Sequence, residues 1–427
     1  MNQEEITLLE YNNVLERLKN QECHLLLGNG FNRGLGVDTS YPAIFNQMLQ
    51  KDHWMYQDAQ WVIEKSNYDL EIFIWKLIDD IPEENVFLRK YVANKIKHDF
   101  MRAAQEIVKS EIKNVYAEKN EGIYILLQNF KNYFTINYDS FLYLLLLNFK
   151  WDDKNEGIIA IQSSLKFMEE DMNVTQKDIY TEIKDARNKG NLSIYAGNDS
   201  EIVTKSMYEL TKSHFETEIK QYAKSNNKPW KSKDIKRVVN SLWEEEKNNK
   251  VLENIDDGSK MRILLDDTTE FVFDTKKETQ NLFFLHGAFH IFRDGKEEKK
   301  ITQKSDKALY DRLEEILNNE DKDIICVFES ENKIDAINES EYLKKSYNKL
   351  SKLSGIIVII GSSLADNDKH IFDQINISQI HTLYISTRKE SKEKNFKKAV
   401  KMFPKKEIFF FETESISYEL PIKNLTI

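Results

Sequence analysis

The sequence predicts an α/β protein with a Rossmann-like parallel sheet and a large, mainly helical insertion. In the last third of the chain, short apolar segments alternate with amphipathic helical segments, the pattern of parallel strands joined by helices. Residues 356–360 are apolar throughout, as expected for a central strand covered on both faces. Residues 150–280 interrupt this pattern with segments rich in lysine, glutamate and asparagine. We therefore predict a sheet domain in two parts, 1–149 and 281–427, with the insertion between them.

Composition and charge narrow the class of protein. At 427 residues the chain exceeds what one hydrophobic core usually holds, so two domains, or one domain with a large insertion, are expected. Hydrophobic residues at 41% and charged residues at 31% are typical of a soluble globular protein. A net charge of -10 argues against broad, sequence-independent binding of polyanions, so no direct nucleic-acid partner is expected.

Cysteine usage and the first residues bear on metal binding and location. Cys23 and Cys326 lie in or beside apolar segments and are expected to be core thiols. A zinc ribbon is excluded because paired thiolate or imidazole ligands are missing, and we expect no metal. Residues 1–9 are acidic and lack an apolar signal segment, and the apolar run at 141–147 is too short to span a bilayer. The expected location is the cytoplasm, with no membrane attachment.

Hydrophobic periodicity predicts the remaining elements. Residues 4–19 and most of 43–119 have helical spacing, with a break at Pro82, and residues 25–32 form an apolar strand that ends in a glycine turn. The later elements are helices near 163–171, 204–224 and 232–253, a hairpin of 261–265 with 270–273, strands at 323–328, 356–360, 382–386 and 408–411, and helices at 341–353, 368–375 and 395–403. Because strands that alternate with helices pair in parallel, these four later strands are expected in the main sheet. The insertion is expected to be a lid or an oligomer contact.

Glycines stand at the ends of two predicted strands. Gly28 and Gly30 follow the first strand, and Gly361 follows strand 356–360 and precedes two serines. Glycine admits positive φ and lets a ligand approach the backbone, so such turns often hold nucleotide phosphates. The first turn matches neither G-x-G-x-x-G nor a P-loop, so a tight structural turn explains it equally well.

Polar side chains end two further strands. Asparagine is disfavoured in strands, so Asn137 is a candidate for orienting a ligand or a water, whereas Asp139 is more often a helix N-cap than a catalytic group. His286 ends an apolar strand beside Gly287 and is suited to moving a proton near neutral pH. A packed core histidine is the commoner explanation of such a residue, and it is the one expected for His290.

These four strand ends, in this order, resemble the NAD-binding core of the sirtuin superfamily. The shared motifs are L-G-N-G-F, N-Y-D, L-H-G and G-S-S-L, the last of which continues to D-x-H-I. Within the superfamily the chain is most similar to the bacterial SIR2-like proteins linked to antiphage defence. The likeness covers both ends of the chain and leaves residues 150–280 outside. It implies a sirtuin-type sheet with NAD as the substrate.

The resemblance also implies roles for individual residues. Asn137 and Asp139 would face the nicotinamide ribose as catalytic residues, and His286 would be the catalytic base. The implied cofactor-binding positions are Gly28, Asn29, Gly30, Phe31, Asn32, Thr135, Gly361, Ser362 and Ser363. No metal is implied, because the cysteine-bound zinc module of deacylating sirtuins is absent from the sequence.

Departures from the deacylating sirtuins favour hydrolysis. The G-I-P-D-F-R stretch is absent after the first loop, and the F-G-E signature does not follow His286. We therefore expect an NAD+ hydrolase that releases nicotinamide and ADP-ribose and depletes NAD during phage infection. Similar systems imply control by a homo-oligomer, by a HerA-type ATPase or translocase, or by a phage-derived trigger. The alternatives are a non-catalytic nucleotide-sensing or scaffold subunit of a defence complex and, third, an NAD-dependent protein deacylase.

Overall fold

A computed structural model describes residues 7–19, 21–50, 54–118, 120–151, 174–188, 216–217, 219–239, 255–264, 269–301, 309–319, 321–328, 333–416 and 418. The chain divides into two compact units, of which unit 1 comprises residues 1–145 and 255–427 and unit 2 comprises residues 146–254. No helix in the described ranges is long and apolar enough to cross a membrane.

Unit 1 contains a seven-stranded, all-parallel sheet with the strand order β1-β12-β11-β10-β2-β3-β6 in the described residues. Its strands are β1 (Leu8–Leu9), β2 (Cys23–Leu27), β3 (Asn132–Thr135), β6 (Leu282–Phe284), β10 (Ser354–Ile360), β11 (Gln379–Thr387) and β12 (Glu407–Glu412). The predicted fold class, an α/β protein with a Rossmann-like parallel sheet, is confirmed. All five residues of β2 and the last five of β10 are buried, because helices cover both faces of a central parallel strand.

Helices account for most of the rest of unit 1. Those before β6 are Tyr11–Leu18, Asn29–Gly34, Tyr41–Gln50, Trp54–Asp58, Gln60–Lys65, Leu70–Ile78, Val86–Glu118 and Asn120–Leu127, and Phe141–Trp151 begins in unit 1. Those after β6 are Leu309–Leu317, Lys333–Asn338, Glu341–Leu350, Lys369–Ile377 and Lys392–Met402. The helical region predicted between 43 and 119 is therefore confirmed, with a break around Pro82.

A polar contact fixes the register at the centre of the sheet. His24 of β2 is fully buried, and its Nδ1 accepts a hydrogen bond from Asn132 Nδ2 of β3 at 2.9 Å. Its Nε2 then donates to the carbonyl oxygen of Ser354 in β10 at 3.0 Å. Burial lowers the pKa of His24 to about 4, which keeps the ring neutral and preserves both roles near pH 7.

A second sheet in unit 1 was not predicted. It has the order β4-β5-β8-β7-β9 in the described residues, and every pairing is antiparallel. Its strands are β4 (Ser259–Ile263), β5 (Thr269–Phe273), β7 (Gly287–Asp294), β8 (Glu297–Lys300) and β9 (Lys322–Cys326). The expectation that 323–328 joins the parallel sheet is wrong, because the turn at Gly287 sends β7 back along β9. The predicted hairpin of 261–273 is present, and it pairs with β8 inside unit 1.

The amino-terminal helix differs from the prediction of 4–19. Leu8 and Leu9 form the edge strand β1, paired in parallel with Phe410 and Phe411, and the helix begins only at Tyr11. An apolar pair at the start of a helical pattern is compatible with either a helix or a strand. Here the two leucines form a strand because they pair with the edge of β12 that β11 leaves free. Residues 1–6 lie outside the described part of the chain.

Unit 2 is helical in its described residues. It contains the helix Val174–Asn188 and helical segments at 219–225 and 232–239. The second segment falls within the predicted helix 232–253, and the first overlaps the predicted helix 204–224 and continues to residue 225. The other residues of both predicted helices are only partly described. The predicted helix at 163–171 lies outside the described residues.

The strand order places a topological switch point between β2 and β10. From β2 the chain adds β3 and then β6 on one side, and it later returns to add β10, β11 and β12 on the other side. In open α/β sheets, connections that leave in opposite directions open a crevice at the carboxyl ends of the two strands. The glycine turns after β2 and β10 lie at this crevice.

Candidate functional site

A cavity of about 550 Å³ lies along the carboxyl edge of the parallel sheet. Residues that follow β2, β3, β6, β10 and β11 all contribute to its wall. Its volume lies within the range of small-molecule sites. The chain thus brings together, at one edge, side chains that are more than two hundred residues apart in sequence.

Two glycine turns pack backbone against backbone at the switch point. A Cβ on Gly28 would lie 2.7 Å from the carbonyl oxygen of Gly361, and a Cβ on Gly30 would lie 2.6 Å from the Gly361 Cα. Gly361 has φ +73°, and a Cβ there would meet the backbone nitrogen of Phe31. Gly30 N–H donates to the Gly361 carbonyl at 2.8 Å. Side chains would prevent this approach, so the structural requirement for glycine is established here.

A hydrogen-bond network ties the loop after β2 to the loop after β3. Asp139 Oδ2 accepts from Asn32 Nδ2 and Thr39 Oγ1, each at 2.8 Å. Its Oδ1 accepts the backbone N–H of Phe141, the first residue of the following helix, at 3.0 Å, whereas Ser140 occupies the N-cap position and accepts from Leu144 N–H. Burial raises the pKa of Asp139, and these hydrogen bonds oppose that shift. Asn137 Nδ2 donates to Asn32 Oδ1 at 3.2 Å, which fixes the amide at the cavity wall.

His286 lies in the cavity wall directly after β6 and is 1% exposed. Its Nε2 is 3.1 Å from His370 Nε2 and 3.8 Å from Asp368 Oδ1. Burial lowers the pKa of His286 well below its usual value, with the charges of Lys333 and His370 acting in the same direction and a backbone hydrogen bond to Ile136 opposing them. The imidazole is therefore neutral near pH 7, and in the contact with His370 one ring donates and the other accepts.

Charged and aromatic side chains surround this histidine. Lys333 Nζ lies 3.9 Å from Glu71 Oε1 and 4.0 Å from Asp368 Oδ1. The ring of Tyr138 stacks on His286 with 5.7 Å between centroids. Burial raises the pKa of Asp368, and the nearby Lys333 opposes the shift. This end of the cavity is thus buried, charged and aromatic at once.

Sequence reasoning missed most of this surrounding cluster. Glu71 and Lys333 occur in ordinary helical segments, where a charged residue is usually solvent-exposed, so the sequence carries no signal for them. Asp368 and His370 belong to the D-x-H-I motif, which was available as a signal. Asp368 immediately precedes the helix Lys369–Ile377, but its side chain makes no capping hydrogen bond there, and its carboxylate lies near His286.

The opposite end of the cavity, after β11, is basic. Arg388, Lys394 and Lys398 line it together with hydroxyl and amide side chains. Lys398 Nζ donates to the carbonyl oxygen of Ser363 at 3.1 Å, and Asn395 Nδ2 donates to Thr387 Oγ1 at 2.8 Å. The cavity therefore changes character along the sheet edge, from buried imidazoles and carboxylates with one lysine, Lys333, to three cations with no described carboxylate in the lining after β11.

The residues predicted for the site fall into two groups. Those that line the cavity are Asn29, Gly30, Asn137, Asp139, His286, Gly361, Ser362 and Ser363. Those that lie behind its wall and support it are Gly28, Phe31, Asn32 and Thr135. Thr135 Oγ1 accepts the backbone N–H of Asn137 at 3.0 Å, and fully buried Phe31 packs against Tyr418.

His290, the residue expected to be a core histidine, is buried outside this cavity. Its ring stacks on Tyr143 at 4.1 Å between centroids, and neither ring nitrogen has a hydrogen-bond partner among the described residues. Burial lowers the pKa of His290 to about 3, although the carboxylate of Asp257 opposes the shift. The ring is packed as predicted, but its nitrogens are not satisfied.

Replacing His290 with phenylalanine tests the stability cost of this buried ring. An unfolded histidine titrates near pH 6.5, so below that pH the unfolded state binds a proton that the folded state excludes down to about pH 3. Wild-type stability should therefore fall as the pH is lowered through this window, and His290→Phe should remove that contribution. Between pH 7 and pH 5 we expect the variant to gain about 2 kcal/mol relative to wild type in urea unfolding. A stability difference that is constant with pH would contradict this.

Comparison with known families gives a match over the second part of the chain. Residues 242–418 match the model of DUF4917, a domain of unknown function. No curated protein matches the chain. The matched range contains His286, the glycine turn at Gly361 and the basic end of the cavity, whereas the turn after β2 and the N-Y-D motif lie before it. Among the described residues, no group of three or more His, Cys, Asp or Glu side chains is arranged to hold a metal ion.

Proposed function

We propose that this chain is a SIR2-like NAD+ hydrolase, with His286 as its general base and Asn137 as the group that orients the nicotinamide ribose. One observation carries the proposal: these two side chains line the same cavity as the glycine turns of β2 and β10, at the switch point of a Rossmann-like sheet. The sirtuin resemblance of the four strand-end motifs supports the choice of NAD among dinucleotides.

Hydrolysis of the N-glycosidic bond of NAD requires few protein side chains, and the cavity contains a candidate for each. Cleavage of an N-glycosidic bond passes through an oxocarbenium-like state, so the site has to hold the ribose and admit one water. The Asn137 amide donates to Asn32, and its Oδ1, which has no partner in the described part of the chain, is placed to accept from a ribose hydroxyl or that water. Neutral His286 accepts the proton as the water attacks.

The His286 contact with His370 adds a condition to this mechanism. The two Nε2 atoms are 3.1 Å apart, so the acceptor nitrogen of the proposed base is engaged in the structure. His370 is half-buried beside His286 and has to turn away before a water reaches the Nε2 of His286. We infer that substrate binding displaces this imidazole.

In the cell the proposed activity would deplete cytoplasmic NAD as an effector of antiphage defence by abortive infection. Such an enzyme has to be inactive in healthy cells, so we propose that activity depends on assembly. The proposed regulators are a homo-oligomer, a HerA-type ATPase or translocase, or a phage-derived trigger. These elements rest on the resemblance to SIR2-like defence proteins.

The test is NAD turnover by the purified chain, resolved by chromatography, beside Asn137→Ala. We expect nicotinamide and ADP-ribose from wild type, and at least a tenfold lower rate from the variant, because loss of a hydrogen bond to a reacting group costs about 1.5 kcal/mol or more. The matched control is Asn114→Ala, which removes an exposed asparagine from the helix Val86–Glu118. An Asn137→Ala variant with the wild-type rate would contradict the assigned role.

A second candidate, a non-catalytic nucleotide-sensing or scaffold subunit, is favoured by the same histidine contact. A base that is 1% exposed, of strongly lowered pKa and engaged by His370, is a weak base in this conformation. Nucleotide binding without products, measured both for the chain alone and with a HerA-type ATPase, would support this candidate over the hydrolase.

A further inference from the structure

Charge is unevenly distributed along the cavity. Two of its lining cations lie beside carboxylates, because Lys333 is within 4.0 Å of Glu71 and Asp368, and Arg33 Nε is 3.6 Å from Asp38 Oδ1. The carboxylates that line it among the described residues are Asp69, Glu71, Asp139 and Asp368. They belong to the loop and helix before residue 79 or to the strand ends near His286, and none of them follows β11. The lining residues that follow β11, by contrast, include Arg388, Lys394 and Lys398 and no described carboxylate. The two ends therefore favour different parts of a ligand.

The basic end is partly neutralised by its neighbours. Arg388 Nε lies 3.8 Å from Glu414 Oε1, and Lys398 donates to a backbone carbonyl and not to a carboxylate. Lys394 has no ion-pair partner within the described ranges. Lys394 and Lys398 are four residues apart in the helix Lys392–Met402, so both project from one face of it. Their charge is available to an anion in the cavity.

The position of these cations along the sheet matches one end of a dinucleotide. From β11 to β6 there are four inter-strand steps, which span roughly 19 Å at about 4.8 Å each. If the nicotinamide ribose lies at His286 and Asn137, as the proposed function requires, the adenosine ribose lies toward β11. Sites that select NAD place an aspartate or glutamate at that ribose to accept its 2′-hydroxyl, whereas sites for NADP place cations there.

We propose that this site selects the 2′-phosphorylated dinucleotide, NADP+, over NAD+. The inference rests on the proposed function and names its preferred substrate. The 2′-phosphate is bound by Arg388, Lys394 and Lys398. The nicotinamide ribose lies at His286 and Asn137, as in the proposed reaction of NAD+. In the reaction the bond between nicotinamide and ribose C1′ breaks, the oxygen of a water bonds to C1′, and the water's proton passes to His286. The products are nicotinamide and 2′-phospho-ADP-ribose.

Calorimetric titration of the full chain with two stable ligands, ADP-ribose and 2′-phospho-ADP-ribose, tests this preference without turnover. We expect 2′-phospho-ADP-ribose to bind at least about tenfold more tightly, because charge-assisted hydrogen bonds are each worth about that factor or more. In the double variant Lys394→Gln/Lys398→Gln the preference should fall below about threefold. The matched control is Lys401→Gln, an exposed lysine of the same helix outside the cavity lining.

A second pair of ligands separates 2′-phosphate recognition from simple charge attraction. Adenosine 2′,5′-bisphosphate should bind more tightly than the 3′,5′ isomer, which has the same charge, and equal binding of the two would overturn the proposal. The NADP+ preference would be overturned if ADP-ribose bound as tightly as 2′-phospho-ADP-ribose or more tightly and NAD were hydrolysed at least as fast as NADP. That outcome would still support the proposed hydrolase function. If the folded chain binds neither ADP-ribose nor 2′-phospho-ADP-ribose, both the preference and the proposed function are overturned.

Discussion

His286→Ala is expected to lower NAD turnover by about 10²–10⁴-fold, the usual contribution of a general base. The imidazole is buried at the end of β6, faces the cavity and is neutral because burial lowers its pKa. Alanine removes the proton acceptor and leaves the glycine turns and the basic end in place. Initial rates measured by chromatography of nicotinamide release, with ADP-ribose binding measured in parallel, check this expectation.

Two further variants make the His286 result interpretable. His381→Ala removes an exposed histidine on β11 whose Nδ1 contacts only its neighbour Thr382 within the described chain, and it should keep the wild-type rate. His286→Gln keeps most of the side-chain volume, so it serves if the alanine variant fails to fold. A folded His286→Gln protein that still turns over NAD at the wild-type rate would exclude His286 as the base.

Gly361→Ala is expected to destabilise the protein and to abolish nucleotide binding together. The residue has φ +73°, which costs a residue with a Cβ about 1–2 kcal/mol. The added methyl would also press on the backbone of Gly30 and Phe31, so the two turns would have to separate. Overpacking of this kind costs about 1–3 kcal/mol in addition. Urea unfolding and ADP-ribose titration measure the two effects.

Gly295→Ala is the matched control for this position. Gly295 also has a positive φ, +62°, but a Cβ there meets nothing within 4 Å, so only the conformational cost applies. The difference in unfolding free energy between the two variants isolates the packing of one glycine turn on the other. Equal destabilisation of the two proteins, with binding retained in Gly361→Ala, would show that the close approach of the turns is dispensable.

Local pattern was sufficient for the elements of the parallel sheet. The apolar segments around Leu25, Phe134, Phe283 and Ile357 all form its strands, because a strand buried on both faces needs an apolar residue at nearly every position. Local pattern failed for residues 323–328, whose short apolar run is compatible with either sheet. The direction in which β9 pairs depends on the reversal of the chain at Gly287, after which β7 runs antiparallel to β9. β7 and β9 are far apart in sequence, so a local pattern does not show this pairing.

The site was predicted in part for a similar reason. Asn137, His286 and the turn at Gly361 were recognisable because polar residues and glycines are unusual at the ends of buried strands. Glu71 and Lys333 were not recognisable, since a charged residue in a helix is normally solvent-exposed. Only packing shows that these two side chains lie within 3.9 Å of each other beside the proposed base.

The sequence by itself determined the fold class and the strand ends that carry glycine, asparagine and histidine, because these follow from burial and backbone conformation within a few residues. The tertiary structure alone decided that the ends meet in one cavity, that His370 contacts His286, and that three cations collect after β11. Strand order brings these groups together, and strand order is set by long-range pairing that no local pattern encodes.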